Sequence, residues 1–217
     1  MEISAEEIKK RAYELRDQIT QDRRCLHQIP EIGTDLPQTS AYIKKRLDEM
    51  GIPWKDCGGP LPAKMTDDFV EAGFPRMEKE TGVTAVIGHG SPCILLRADM
   101  DALPVREDND LEYKSCNGAG HMCGHDSHAA MLLGAAQILK DMESELKGSV
   151  KLMFQPGEET GAGARVMVEN GALQDPQVNA AFGLHVQPTD ETGKVGYAVG
   201  VNSASLDSFI LKIHGRG

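Results

Sequence analysis

The sequence predicts an α/β fold, a three-layer sandwich of helices around a largely parallel or mixed sheet. Short apolar runs alternate with helical patterns along most of the chain, which is typical of strand–helix–strand units. The chain has 217 residues, 40% of them hydrophobic and 26% charged, which suffices for a full core in one domain plus part of another. We therefore divide it into residues 1–190, an α/β domain, and residues 191–217, the incomplete start of a second one.

The first two helices are predicted by their caps. Ser4-Ala-Glu-Glu7 matches a capping box, and apolar residues follow it at helical spacing as far as Ile19. A second helix is predicted over residues 39–50, ended by Gly51.

Residues 53–82 lack a clear period. They contain four prolines, several glycines and mixed charges. We interpret them as a surface insertion with a short helix near residues 67–72.

Regular elements follow this segment. The apolar runs predict buried strands, and the turn-like His89-Gly90-Ser91 suggests that the first two of them form a hairpin. Asp126 is the expected cap of the long apolar helix. The predicted strands are 83–87, 93–97, 150–154 and 180–184, and the predicted helices are 129–142 and 162–169.

The pattern changes after residue 190. Residues 193–201 and 208–214 are expected to form strands of more polar character, and the chain stops at Gly217 without a closing helix. We expect a cut through a second domain at this point.

Charge and composition exclude several classes of protein. The net charge of −10 argues against nucleic acid as a partner, because phosphate would be repelled. No apolar run approaches the ~20 residues of a membrane span, and the N-terminus lacks a secretory signal. Five cysteines, an odd number, argue against a disulfide framework, so we expect a cytoplasmic protein.

Polar clusters follow the predicted strands. Ligands of open α/β sheets bind beyond the carboxyl ends of the strands, so these clusters should converge on one edge. The clusters are Asp99-Met-Asp101, the segment His121 to His128 before the apolar helix, Glu158-Glu159, and His185.

Cys123 and His125 predict a metal site. A thiolate and an imidazole two residues apart on a glycine bend suit zinc or a similar divalent ion. A lone Cys123 would more often be an inert buried thiol, but His121 and His128 lie beside it. A structural zinc knot that includes Cys116 is a less favoured alternative, because the spacing does not fit.

The remaining candidates allow two interpretations each. Glu158 and Glu159 would ordinarily be surface charges, yet after a buried strand one could coordinate a metal and the other accept a proton. Asp99 and Asp101 are either turn formers or groups that orient histidine ligands. His185 is either a core histidine or a ligand, and for His27 we expect a structural role.

Five ordered motifs resemble the aminoacylase/carboxypeptidase metallopeptidase family, in its branch of hippurate hydrolases, auxin-conjugate hydrolases and N-acyl-amino-acid amidohydrolases. The resemblance covers nearly the whole chain except residues 53–82. The motifs are Arg24-x-Leu26-His27-x-x-Pro30-Glu31, Leu96-Arg-Ala-Asp99-Met-Asp101-Ala-Leu-Pro104, His121-Met-Cys123-Gly-His125-Asp-x-His128, Phe154-Gln-Pro-Gly-Glu158-Glu159 and Gly183-Leu-His185.

The resemblance implies a role for each candidate residue. Glu158 matches the general base and Asp101 the aspartate that orients a ligand, whereas Asp99 falls where related branches place a histidine. It also implies that residues 191–217 begin a smaller α+β lid domain that often mediates homodimers, and that a lid histidine and a last ligand would follow Gly217. The residues that match metal ligands are Cys123, His125, Glu159 and His185.

The implied reaction is hydrolysis of the amide bond of N-acyl or N-aroyl amino acids. It would use one or two divalent ions, with zinc, manganese, cobalt and nickel all suited to the ligands. A metal-binding but inactive fragment is the alternative. A cysteine hydrolase built on Cys123 is less favoured, since it leaves Glu158, Glu159 and His185 without a purpose.

Overall fold

The fold is a mixed five-stranded sheet between two layers of helices in the computed structural model, which describes residues 4–201, 209 and 211–216. This confirms the predicted α/β class with a mixed sheet. The strands are β1 (Trp54–Asp56), β2 (Val83–Gly88), β3 (Cys93–Asp99), β4 (Ser149–Gln155) and β5 (Ala180–Gly183). The helices are α1 (Ala5–Glu14), α2 (Arg16–His27), α3 (Pro37–Glu49), α4 (Ala63–Glu71), α5 (His125–Asp141) and α6 (Gly163–Glu169).

Strand alternation builds a core on each face of the sheet. Leu152 and Phe154 of β4 point into the larger core, which α2, α3 and α5 cover. Met153, between them, points to the opposite face and packs with Met167 of α6. The central strands are therefore buried on both sides, which explains their nearly continuous apolar sequence.

The predicted hairpin of β2 and β3 is wrong. The sheet order is β1-β2-β4-β3-β5, so β4 lies between the two. It pairs antiparallel with β2, where Val83 faces Phe154, and parallel with β3, where Asp99 faces Gln155. A short turn allows adjacent strands to pair but does not require it. Six of the seven residues of β4 are buried, as expected for a strand in the centre of the sheet.

The cap predictions fit at the N-terminus and fail at α5. The Ser4 hydroxyl accepts a hydrogen bond from the Glu7 amide, as the capping box requires. Asp126 does not cap α5, because that helix begins one residue earlier at His125 and Gly124 is its N-cap.

Residues 53–82 are more closely integrated than a surface insertion. Trp54–Asp56 forms the edge strand β1, paired antiparallel with β2. Leu61, Phe69 and Met77 are buried and pack in a small core with the start of α6. The predicted short helix is present as α4 and begins earlier than expected.

The last part of the chain departs from the predictions. β5 has the predicted position but is exposed rather than buried, since it lies at the edge of the sheet and β3 is its only strand partner among the described residues. Residues 193–201, predicted as a strand, are exposed and have no strand pairing among the described residues. The second predicted strand, 208–214, lies partly outside the described residues.

Candidate metal centre

Three parallel strands end at one edge of the sheet, and the candidate residues lie in the turns beyond them. Asp101 follows β3, Glu158 and Glu159 follow β4, and His185 follows β5. Helix α5 starts at the same edge with His125 in its first turn. The structure thus brings together the residues that strand-end placement indicated.

Cys123 and His185 meet although 62 residues separate them in sequence. The Cys123 sulfur lies 3.4 Å from Nε2 of His185. Between Cys123 and α5, Gly124 has a φ of +86°, and a Cβ on it would lie 2.4 Å from a methyl carbon of Val186. Glycine is therefore required at this position both for the turn and for the approach of the segment that carries His185.

His125 is fully buried at the centre of the cluster. Its Nδ1 lies 3.3 Å from the Asp101 carboxylate, so the hydrogen on this nitrogen is directed to Asp101. Nε2 has no hydrogen-bond partner among the described residues and lies 3.8 Å from Oε1 of Glu159 and 3.9 Å from Oε2 of Glu158. Oδ2 of Asp99 lies 3.6 Å from the same nitrogen, which therefore faces three carboxylates.

Asp101 organises the turn after β4 as well as His125. Its two carboxylate oxygens accept hydrogen bonds from the backbone amides of Glu158 and Glu159, each at 3.1 Å. One buried carboxylate thus holds an imidazole and the backbone of both glutamates. A group placed behind a metal ligand fixes the direction of that ligand through contacts of this kind.

The donor atoms fit a divalent cation. Cys123, His125 and His185 can place one ligand atom each within 4.8 Å of one another, and so can His125, Glu158 and Glu159. Oε1 of Glu159, like Nε2 of His125, is buried without a partner among the described residues. Buried polar atoms are normally satisfied, and sulfur, imidazole and carboxylate together suit zinc or a related transition metal.

Burial and carboxylates shift the pKa values of these groups. Burial, and after it the neighbouring Glu159, raise the pKa of the Cys123 thiol to about 12. The same two causes raise the pKa of Glu158. Burial lowers the pKa of His125, but Asp101 and Asp99 outweigh it and the net shift is upward. Carboxylates thus dominate the electrostatics of the cluster, which favours a bound cation.

Asp99 and His128 form a second group next to His125, with ligand atoms again within 4.8 Å. Asp99 is already engaged on both oxygens, with Nδ1 of His128 at 2.5 Å and the Arg97 guanidinium at 2.7 Å. Its carboxylate therefore orients His128, and its Oδ2 also lies 3.6 Å from Nε2 of His125.

His27 lies closer to the site than its sequence position suggests. Its Nδ1 is 2.7 Å from Asp126, in the first turn of α5, and its Nε2 is 2.8 Å from Glu107. The structural role expected for His27 thus takes the form of a buried link from α2 to the helix that begins with His125. His121 is buried nearby, with no hydrogen-bond partner for either ring nitrogen in the described part of the chain.

The zinc-knot alternative finds no support in the geometry. Cys116 is exposed, and it belongs to none of the ligand groups found among the described residues. All five cysteines are free thiols.

In the described ranges, no helix has both the length and the apolar character needed to cross a membrane.

Two curated relatives illustrate the similarity in sequence. N-acetyl-L-cysteine deacetylase of Bacillus subtilis is 42% identical over 206 residues, which cover 94% of this chain and 44% of the relative. IAA-amino acid hydrolase ILR1-like 5 of Arabidopsis thaliana is 41% identical over 197 residues, 90% of this chain and 40% of the relative. The chain therefore spans less than half the length of these two relatives.

Solved structures share the fold. The Bacillus subtilis YXEP protein, described as a dinuclear metal binding peptidase from the M20 family, aligns with a TM-score of 0.66 and 35% identity. The alignment covers 82% of this chain and 45% of that protein. A putative aminohydrolase from methicillin-resistant Staphylococcus aureus aligns with a TM-score of 0.71 and 30% identity, over 85% and 43% of the two chains.

The family model described as peptidase family M20/M25/M40 matches residues 95–215, more than half of the chain. The matched range contains Asp101, Cys123, His125, the glutamate pair and His185. Together with the sequence relatives and the shared fold, this match shows that the chain belongs to peptidase family M20/M25/M40.

Proposed function

We propose that this chain carries the metal site and the general base of an amidohydrolase that cleaves N-acyl or N-aroyl amino acids into a carboxylic acid and an amino acid. The observation that carries the proposal is the arrangement around His125. Its free Nε2 and the free Oε1 of Glu159 face each other at 3.8 Å, next to Glu158. The names of two relatives, N-acetyl-L-cysteine deacetylase and IAA-amino acid hydrolase, support an N-acyl amino acid as substrate.

The proposed metal ligands are Cys123, His125, Glu159 and His185. Their sulfur, nitrogen and oxygen donors suit one or two ions of zinc, manganese, cobalt or nickel. A divalent cation bound there would supply positive charge that lowers the pKa of water and polarises a carbonyl group.

Glu158 is the proposed base. It is the more accessible of the two glutamates, with 40% of its side chain exposed against 22% for Glu159, so water and substrate can reach it. Its raised pKa suits a group that must first accept a proton and then release it. Glu158 accepts the proton of the attacking water and returns it to the leaving amine.

A cysteine nucleophile is disfavoured by the surroundings of Cys123. Such a nucleophile requires a lowered pKa, produced by a neighbouring cation or a helix N-terminus. Here burial and Glu159 act in the opposite direction. Hydrolysis that persists after chelation and dialysis would revive the cysteine mechanism.

We also propose a division of the chain into two parts. Residues 1–190 would form the catalytic part and residues 191–217 the beginning of a lid, which would mediate a homodimer. A cytoplasmic location remains the prediction from the sequence.

Glu158→Gln tests the proposed base. Turnover of N-acetyl and N-benzoyl amino acids should fall by about 10²- to 10⁴-fold, because the amide cannot accept the proton. Metal content, measured by elemental analysis, should stay at the wild-type level. Glu112→Gln, a change of the same kind at an exposed residue, is the control.

Undiminished turnover in Glu158→Gln would exclude the base. Wild-type protein that binds metal but hydrolyses none of the substrates would favour the metal-binding, inactive alternative instead.

A further inference from the structure

His128 is buried on α5, one turn after His125, with both ring nitrogens engaged. The Val186 amide donates a hydrogen bond to Nε2 at 2.9 Å, so Nε2 is the acceptor. The ring hydrogen must then reside on Nδ1, where it is donated to Asp99 at 2.5 Å. Although His128 lies among potential ligands, neither of its nitrogens is free to bind a metal.

The bond to Val186 places His128 behind His185. The carbonyl of Val186 accepts a hydrogen bond from Nδ1 of His185 at 2.7 Å, which leaves Nε2 of His185 directed at the Cys123 sulfur. The backbone of Val186 therefore links the two histidines: its amide donates to His128, and its carbonyl accepts from His185. Its side chain also packs against Gly124, next to Cys123.

Besides its contacts with Val186 and Cys123, the ring of His185 packs edge-on against His128, with centroids 4.6 Å apart, and against His125, at 5.9 Å. His185 follows the exposed edge strand β5, and its ring is exposed. By contrast, His128 and Asp99 are almost fully buried, and Asp99 is itself fixed by Arg97. A buried chain of hydrogen bonds from Arg97 through Asp99 and His128 thus ends at the backbone amide of Val186, the residue that follows the exposed His185.

We propose that His128 is a positioning residue that fixes His185 as a metal ligand through the backbone of Val186. This inference rests on the proposed function, because it takes His185 to be a ligand. What His128 must supply is an acceptor at Nε2. A ligand whose orientation is set in advance binds metal more tightly, and loss of such an outer partner typically costs 10- to 100-fold in affinity.

Two conservative variants distinguish the hydrogen bond made by Nδ1 of His128 from the one made by Nε2. In His128→Gln the amide group reaches about as far as Nε2 and can still accept from Val186. In His128→Asn the shorter amide reaches only the Nδ1 position, so it keeps Asp99 and loses Val186. Both variants place a neutral amide in the same buried site, which makes each the control for the other.

Cobalt(II) is the probe for the first measurement. We expect His128→Asn to bind cobalt about 10- to 100-fold more weakly than His128→Gln, with a visible spectrum shifted toward that of His185→Ala. His128→Gln should retain the wild-type spectrum. Equal affinity and identical spectra in the two variants would overturn the proposal.

Amide hydrogen exchange of Val186 in the metal-free protein is the second measurement, and it does not depend on hydrolysis. Exchange should be slow in the wild type and in His128→Gln, and fast in His128→Asn. In wild-type protein with ¹⁵N-labelled histidine, Nε2 of His128 should be unprotonated. A protonated Nε2 would overturn the proposal even if both variants failed to fold.

These results distinguish the inference from the proposed function. Absence of hydrolysis together with the expected cobalt and exchange data would reject the function and leave His128 as a positioning residue. Hydrolysis by the wild type, together with unaltered cobalt binding in His128→Asn, would support the proposed function and reject the positioning role of His128.

Discussion

Asp101 is the residue on which the geometry of the site depends most. Its carboxylate lies against Nδ1 of His125 and accepts the amides of Glu158 and Glu159. The free Nε2 of His125 and the turn with both glutamates are thus oriented by one side chain that is itself buried. A neutral substitute cannot reproduce these contacts, because one of its two polar atoms is a donor.

Asp101→Asn should weaken zinc binding by about 10- to 100-fold, since the orientation of His125 and of the glutamate turn is lost. Competition with a chromophoric chelator measures this affinity. Asp108→Asn, at an exposed position nearby, is the matched control. Unchanged zinc affinity in Asp101→Asn would show that Asp101 orients no ligand.

Sequence patterns indicated the candidate site residues better than the groups that contact them. Strand-end placement indicated Asp101, Glu158 and His185 because each follows an apolar run directly. The hydrogen bond between His27 and Asp126 joins residues 99 positions apart, and no local sequence pattern predicts it. The contact of His128 with Val186 involves a backbone amide, which leaves no mark in the sequence.

At the level of elements, His27 joins α2 to α5. Hydrogen bonds to Asp126, and then to Glu107, raise the pKa of His27 against the opposing effect of burial. The folded protein therefore holds this proton more tightly than the unfolded chain, whose histidines titrate near 6.5. The stabilisation is complete below about pH 6.5 and is lost as the pH rises through the raised pKa.

His27→Gln should cost about 1–3 kcal/mol of unfolding free energy at pH 6 and clearly less at pH 9. Urea unfolding in the presence of a chelator, which removes any contribution of bound metal, measures both values. His89→Gln, at an exposed histidine, is the control. An equal cost at the two pH values would mean that His27 is not charged in the folded protein.

Glu80 shows how the segment before β2 is built into the fold. It is buried, and neither carboxylate oxygen has a hydrogen-bond partner among the described residues. Burial raises its pKa from 4.5 to about 8. As the pH rises through this interval, the unfolded chain releases a proton that the folded chain keeps, so the free energy of unfolding decreases.

Glu80→Gln should therefore stabilise the protein by about 2–4 kcal/mol at pH 8.5 and have little effect near pH 5. Thermal or urea unfolding at both values tests this. Glu78→Gln, at an exposed glutamate two residues away, should change neither. Equal stability of Glu80→Gln and wild type at pH 8.5 would indicate that Glu80 is ionised and solvated when folded.

The elements themselves were largely predictable, whereas their arrangement was less so. Apolar runs gave β2, β3 and β4 within two residues, because each strand is buried on both faces or nearly so. The order of the strands depends on which run takes the central place, and a local turn such as residues 89–92 carries no information about that choice. Exposure of β5 likewise depends on what pairs with it.

On the scale of the whole molecule, three parallel strand ends and one helix start create the site. The edge of the sheet collects carboxylates from the ends of β3 and β4, an imidazole from the end of β5, and a thiol and an imidazole from the start of α5. The accumulated negative charge and the unpartnered donor atoms find their simplest explanation in a bound divalent cation.

An anomalous difference map from a crystal grown with zinc tests this claim most directly. We predict a zinc peak about 2.3 Å from the Cys123 sulfur and about 2.0–2.1 Å from an imidazole nitrogen, with His125, His185 and Glu159 among its neighbours. Zinc bound by Asp99 and His128, or by Cys116, with no peak at Cys123, would contradict the proposed site.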